Sequence, residues 1–231
     1  KRAIVTRIAG DNGLPTASHL TCVGASKAEI GEFLDEAKSK GIQNIVALRG
    51  DPPKGDTTFK PHPDGFHYAN ELIAYISDRG DFDIAVAGYP EGHPESESKE
   101  RDWQRCAEKV KAGGQIVITQ LFYDNRDFFA FSDYLKNKLG VDVPIVPGML
   151  PILGAAQIKR FCSMCGSKLP ESVTKQLERY GGDDAACREY GIELATEMCD
   201  ELRAAGVPGI HFYVLNRAYS VGKILQNLGL A

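Results

Sequence analysis

Apolar, β-branched runs alternate along this chain with stretches of helical period, and that alternation limits the fold more than any other property of the sequence. Six segments read as strands: Leu14–Val23, Ile42–Leu48, Asp83–Tyr89, Gln115–Phe122, Pro144–Leu150 and Gly209–Leu215. Helices are expected over Ser26–Lys40, Phe66–Arg79, Ser98–Ala112, Arg126–Leu139, Ala155–Cys165 and Ala218–Leu228. A helical insertion, Glu171–Tyr180 plus Asp184–Ala205, precedes the last strand. Ser26 with Glu29 three residues on reads as a capping box, and Gly41 as the stop. The loop Gly50–Gly65 is rich in Pro, Gly and Asp, and a connection that long in a compact fold is usually functional.

Strands that alternate with helices form a parallel sheet with helices outside it. Two architectures compete, an open doubly wound sheet and a closed barrel. No GxGxxG follows any strand, so a dinucleotide fingerprint is absent. Polar residues instead gather where strands end: His19, Arg49-Gly50-Asp51, Tyr89 with His93, Gln120, and Asn216-Arg217. In a barrel those ends form the mouth of the active site. The expected fold is therefore α/β, a (βα)8 TIM barrel. Six strands do not close a barrel of eight, and Lys1–Ala9 reads as the second half of a helix, with Ile4, Val5 and Ile8 on one face. The first two strands are accordingly expected to lie before Lys1, leaving residues 1–231 as one partial catalytic domain of about six βα units with no regulatory domain.

Composition removes other classes. The 231 residues carry 31 acids against 27 bases, so no duplex-binding surface is indicated. No apolar run approaches the roughly 20 residues that span a bilayer, and the KRAIVTRIAGDNG start lacks the apolar core of a signal peptide. The five His are scattered without metal-ligand spacing. Six Cys need no disulfide framework at this length and are read as reduced thiols. Cys162 and Cys165 form a lone CxxC, read as helix residues one turn apart, with half a zinc site or a redox pair as the rival.

The strand-end residues carry the chemical reading. Gly50 permits close backbone approach of a ligand, and the Asp51 carboxylate can accept hydrogen bonds from ring N–H groups. His93 and Ser96 stand at a helix entry, which suits an anion. Asp102 and Lys109 lie seven apart on one helix face, either a solvated stripe or a binding pair. Gln120 closes an apolar strand, either bonded in the core or aimed at a ligand. Phosphate-, ring- and hydroxyl-type partners together suggest a dinucleotide such as FAD across several loops.

The segments ASHLTCVG, IVALRGDPP, FHYANELI, DIAVAGYPEGHPES, VITQLFYD, IVPGMLPI and HFYVLNR, in this order, resemble methylenetetrahydrofolate reductase nearly end to end. The resemblance implies a (βα)8 barrel with non-covalent FAD, reduced by NADH or NADPH, that passes hydride to 5,10-methylenetetrahydrofolate in a ping-pong scheme. It implies FAD contacts at His19, Arg49, Gly50, Asp51, Tyr68, Ala69, Tyr89, His93, Ser96, Asp102 and Lys109. Ser96 stands where Ala is frequent, so a backbone contact is expected there. Folate contacts are implied at Asp51, Gln120, Gln157, Tyr213 and Arg217, and Phe161 matches an aromatic that stacks on folate or nicotinamide. Asp51 is the catalytic residue within this chain, because the family's general-acid Glu, in a Phe-Phe-Pro-Pro context, is expected upstream of Lys1. The family also implies a cytoplasmic homo-oligomer in one-carbon metabolism and methionine biosynthesis, with no nucleic-acid or membrane partner. A reading of another class, a non-catalytic truncated barrel that binds FAD, folate or a protein partner, is separated by flavin absorbance of the purified protein.

Overall fold

The computed structural model describes residues 13–51 and 59–231. The expected helix over 1–9 and the middle of the 50–65 loop, residues 52–58, lie outside them. In chain order the elements are β1 (Ala17–Thr21), α1 (Lys27–Ser39), β2 (Asn44–Leu48), α2 (Ala69–Arg79), β3 (Asp83–Gly88), α3 (Lys99–Lys111) and β4 (Ile116–Leu121). They continue with α4 (Asn125–Asp133) and a π-turn (Tyr134–Lys138), β5 (Ile145–Met149), α5 (Ala155–Cys165), α6 (Glu171–Arg179), α7 (Asp184–Ala204), β6 (His211–Phe212) and α8 (Ala218–Asn227). The chain's contacts group into two compact units, 1–87 with 105–117, and 88–104 with 118–231.

In the first unit β1, β2 and β3 follow one another across the sheet. Both pairs are parallel, with Ala17 opposite Asn44 and Asn44 opposite Asp83. Ile45, Val46 and Ala47 are all buried, as a strand covered on both faces requires. The α1 helix starts where the sequence places it. Ser26 Oγ accepts from the Glu29 N–H at 3.2 Å, and the Glu29 carboxylate accepts from the Ser26 N–H at 2.8 Å. That bonding holds the Glu29 carboxyl below the usual carboxylate range. Ile30, Leu34 and Ala37 then recur on the buried side of α1. The loop after β2 returns to this cap, because the Lys27 N–H donates to the Asp64 carbonyl at 2.9 Å and Ser26 bridges Gly65.

In the second unit β4, β5 and β6 follow in order, and β5 pairs parallel with β6, Gly148 opposite His211. Its core gathers Leu121, Tyr123, Leu150, Ile152, Ile158 and Cys162 with Val173, Leu177 and Cys187. Two expectations change here. The last strand, expected over Gly209–Leu215, shortens to His211–Phe212; the Tyr213 N–H still bonds the Met149 carbonyl at 2.9 Å, and Leu215 and Asn216 then turn left-handed at φ of +50° and +59°. The helix expected over Arg126–Leu139 stays α only to Asp133. It then widens by one residue per turn, closing with the Leu139 N–H on the Tyr134 carbonyl at 3.2 Å. The remaining strands are shorter at their ends than the hydrophobic runs suggest.

Candidate active site

The β2 end is built against its neighbour. The Arg49 carbonyl accepts from the Val23 N–H at 3.0 Å and from the Cys22 thiol at 3.2 Å. Burial pushes Cys22 up to about 11, which keeps the donor proton in place. Gly50 has φ of +86°, and a Cβ there would lie 2.7 Å from Val23 Cγ1 and 2.9 Å from Thr21 Cβ. The glycine is therefore demanded by the chain's own packing, whatever approaches the turn from outside. Asp51 follows this turn with its side chain exposed, and the Arg49 guanidinium lies over the Phe59 ring, 5.1 Å from its centroid.

Three further elements of the first unit carry expected site residues. His19 on β1 is exposed at its rim, yet enough protein surrounds the imidazole to hold its pKa below 6.5. It lines a concavity of about 540 Å³ with Ala17, Thr21, Glu29, Ile30 and Phe33. Tyr68 precedes Ala69, the first residue of α2, with 63% of its surface exposed. The Glu71 carboxylate accepts the His67 N–H at 2.7 Å and so fixes that helix entry. Lys109, on the last turn of α3, donates from Nζ to the Ala87 carbonyl near the end of β3.

In the second unit the loop between β3 and α3 is held on several sides. The Tyr89 carbonyl accepts from Trp103 Nε1 and from the Gly92 N–H, both at 3.0 Å. The His93 ring meets the Tyr89 ring edge-on, 4.8 Å between centroids. His93 Nδ1 accepts from the Glu95 N–H at 3.1 Å, which puts the ring proton of the neutral tautomer on Nε2. The Ser96 N–H donates to the His93 carbonyl at 2.9 Å. Ser98 Oγ caps α3 by accepting from the Arg101 N–H at 3.1 Å. Asp102 is buried, at 9% exposure, and Lys109 is half-buried, so the solvated-stripe reading of that pair does not hold.

The sheet of the second unit brings other expected residues into place. Gln120 is half-buried, and its Oε1 accepts from the Leu121 N–H at 2.8 Å. Tyr213 donates its hydroxyl to the Thr119 carbonyl at 2.8 Å, and burial pushes the phenol up to about 12, so it remains a donor. Thr119 Oγ1 accepts from the Gly148 N–H at 2.8 Å. Gln157 sits in the first turn of α5, half-buried, and Phe161 packs one side on the core cluster. Arg217 is exposed directly before α8, after the left-handed Leu215-Asn216 turn. Cys162 and Cys165 fall in the last turn of α5, as the helix reading has it, and burial pushes Cys162 up to about 12. Among the described residues, no group of three or more His, Cys, Asp or Glu is placed to hold a metal ion, and no helix is long and apolar enough to cross a membrane.

Sequence reasoning passed over Glu91, Trp103, Thr119 and Gly148. A signal existed for Thr119, which shares the buried face of β4 with Val117 and Leu121 and is the polar member of that face. Glu91 lies in the same loop as His93 without a pattern of its own. Its carboxylate takes the Lys168 N–H at 3.0 and 3.2 Å. Burial raises it first, Asp127 adds to this, and the Lys168 N–H, Lys168 and Lys99 act against it, leaving it at about 7.

Parallel strands alternating with helices, with polar side chains collected at strand ends, define an α/β protein close to the TIM barrel in type. The fold is shared with a Clostridium thermocellum protein that binds two copies of 5-methyl-5,6,7,8-tetrahydrofolic acid, at a TM-score of 0.63 and 16% identity over 97% of this chain and 76% of that one. The family model described as methylenetetrahydrofolate reductase matches residues 1–229, and the chain belongs to that family. It is 40% identical over 226 residues to methylenetetrahydrofolate reductase (NADH) 1 of Arabidopsis thaliana, covering 93% of this chain and 38% of that protein. It is 36% identical over 228 residues to the 5,10-methylenetetrahydrofolate reductase of Pectobacterium carotovorum, covering 99% of this chain and 74% of that one. The chain thus spans 38% of the length of the plant relatives it matches.

Proposed function

We propose that this chain is catalytic barrel of the family, a part of an oxidoreductase that moves one hydride from NADH or NADPH and one proton to 5,10-methylenetetrahydrofolate, giving NAD(P)+ and 5-methyltetrahydrofolate. The names of its relatives and the donor chemistry at the strand ends support this reading. The chemistry that bound FAD supplies is two-electron hydride carriage between nicotinamide and folate in ping-pong order.

The residues present suit that group. In the first unit the Asp51 carboxylate can accept from ring N–H groups, the Arg49 guanidinium and Lys109 ammonium can meet phosphate oxygens, and His19, Gly50, Tyr68 and Ala69 complete the FAD contacts. In the second unit His93 Nε2–H and the Ser96 backbone can donate to an anion, with Tyr89 and Asp102 beside them. Gln120, Gln157 and Arg217 are the polar folate contacts. Phe161 and Tyr213 contribute ring faces. The Tyr213 hydroxyl already serves the Thr119 carbonyl, so it orients the ring and leaves hydrogen bonding of folate to the other groups.

The observation that carries the proposal is Asp51, an exposed carboxylate set at the end of a parallel strand by a turn only glycine can make. Asp51→Asn keeps the shape, removes the charge and turns one acceptor into a donor. The flavin potential should become more positive, since a negative neighbour opposes reduction. The folate half-reaction should slow by about a hundredfold, as when a buried polar partner is left unpaired, and by more than the nicotinamide half-reaction. Redox titration and stopped-flow measurement of each half-reaction test this. An unmoved potential with equal losses in both steps would return Asp51 to a turn residue.

A further inference from the structure

The connector between α5 and α6 touches the β3–α3 loop at two points. Gly166, the left-handed residue that ends α5, lies against Pro94 so closely that a Cβ would come within 2.6 Å of the proline Cγ. Two residues on, the Lys168 N–H points at both carboxylate oxygens of Glu91. The connector itself is pinned, with the Ser167 N–H on the Cys162 carbonyl at 3.0 Å and Ser167 Oγ donating to the Leu121 carbonyl at 2.8 Å. The loop that carries His93 and Ser96 is thereby joined to the helix that carries Gln157 and Phe161.

We infer that Glu91 is a positioning residue that fastens the β3–α3 loop onto the α5–α6 connector, and so couples the flavin-side His93 to the folate-side helix α5. The inference rests on the flavin and folate reading of those residues. The fastening is conditional on pH. The groups that face Glu91 are Lys168 on the connector, Asp127 on α4, Lys99 on α3 and Cys162 on α5. In the closed loop the carboxyl holds its proton up to about 7, against an ordinary value of 4.5. A released loop would hydrate the group and return it to that ordinary value. Raising the pH between those values therefore favours release, by linkage, with tenfold per pH unit as the ceiling for one proton.

Amide exchange at Lys168 and FAD binding, measured on the whole chain with wild type, Glu91→Gln and Glu91→Leu, test this. In the wild type, Lys168 protection corrected for the intrinsic rate should fall about threefold per pH unit between about pH 5 and 7, below the linkage ceiling because the site is partly screened. Glu91→Gln keeps an acceptor oxygen, so protection should remain and its slope with pH should vanish. Glu91→Leu should lose protection at every pH and weaken FAD about tenfold, while Glu91→Gln stays within about threefold of wild type. A slope that persists in Glu91→Gln assigns the titration to another group and overturns the inference. So does a Glu91→Leu chain with Lys168 still protected, or with protection lost and FAD affinity unchanged. If Glu91→Leu does not fold, the slope in Glu91→Gln still decides. A wild type that takes up no FAD at any pH removes the flavin reading, and Lys168 exchange then decides the fastening by itself.

Discussion

Two successive strand ends use the same backbone device for opposite purposes. After β2, Gly50 turns the chain at φ +86°, and after β3, Gly92 does so at the same φ of +86°. Each has an acid beside it. Asp51 follows its glycine and is exposed, whereas Glu91 precedes its glycine and is half-buried on the Lys168 N–H. The first turn is clamped from beneath by β1 and presents its carboxylate to solvent. The second is clamped through its carboxylate. Of these two strand-end acids one is left exposed and the other holds a loop, and the neighbour that supports each turn decides which.

The largest expected effect separates the two glycines. A Cβ at Gly50 would meet Val23 and Thr21 at 2.7 and 2.9 Å, while at Gly92 the nearest atom is Lys99 Cα at 3.2 Å. Both substitutions carry the left-handed penalty, and only Gly50→Ala adds a hard overlap with branched side chains, Thr21 at the end of β1 and Val23 just beyond it. Gly50→Ala should cost about 3 kcal/mol and Gly92→Ala about 1.5 kcal/mol. Urea unfolding midpoints at constant slope measure both, and equal losses would mean the β1 support under the first turn gives way without cost. A smaller effect is expected at Tyr213. Tyr213→Phe leaves the buried Thr119 carbonyl without its donor and should cost about 1.5 kcal/mol. Asp51→Asn, being exposed, should change stability by less than about 0.5 kcal/mol. An equal loss at Asp51 would erase the distinction between offered and holding groups.

The parts of this molecule legible in the sequence are those governed by local rules. The Ser26–Glu29 cap, the α5 limits at Ala155 and Cys165, and the apolar Ile45–Leu48 run of β2 follow from capping and hydrophobic period. What escaped depends on partners distant in sequence. Nothing in Gly209–Leu215 announces that Leu215 turns left-handed, since leucine has no preference for that region. Nothing in Tyr134–Lys138 marks a widened turn. At the site, position along the strands singled out Asp51, His93 and Gln120. The role of Gly50 needed the Val23 and Thr21 side chains, and that of Glu91 needed an amide 77 residues away.

The smallest expected effects are pH slopes of opposite sign, one in each unit. Glu91 is raised, so between 4.5 and about 7 the folded chain holds more proton than the unfolded chain. Its contribution is complete below pH 4.5 and declines as pH rises through about 7, by about 1 kcal/mol once screening at a half-buried position is allowed for. His19 is lowered by burial, so just below pH 6.5 the unfolded chain holds more proton than the folded one. Its contribution is complete above 6.5 and declines as pH falls. Unfolding free energies of the wild type against Glu91→Gln should therefore diverge in the variant's favour on going from pH 5 to 7. Those against His19→Gln should diverge in the variant's favour on going the other way, from pH 7 to 5. The difference in direction, more than either size, is the measurement that matters. If both variants shift the same way, one of the two groups is not desolvated as its surroundings require, and the contrast between an edge imidazole and a holding carboxylate fails.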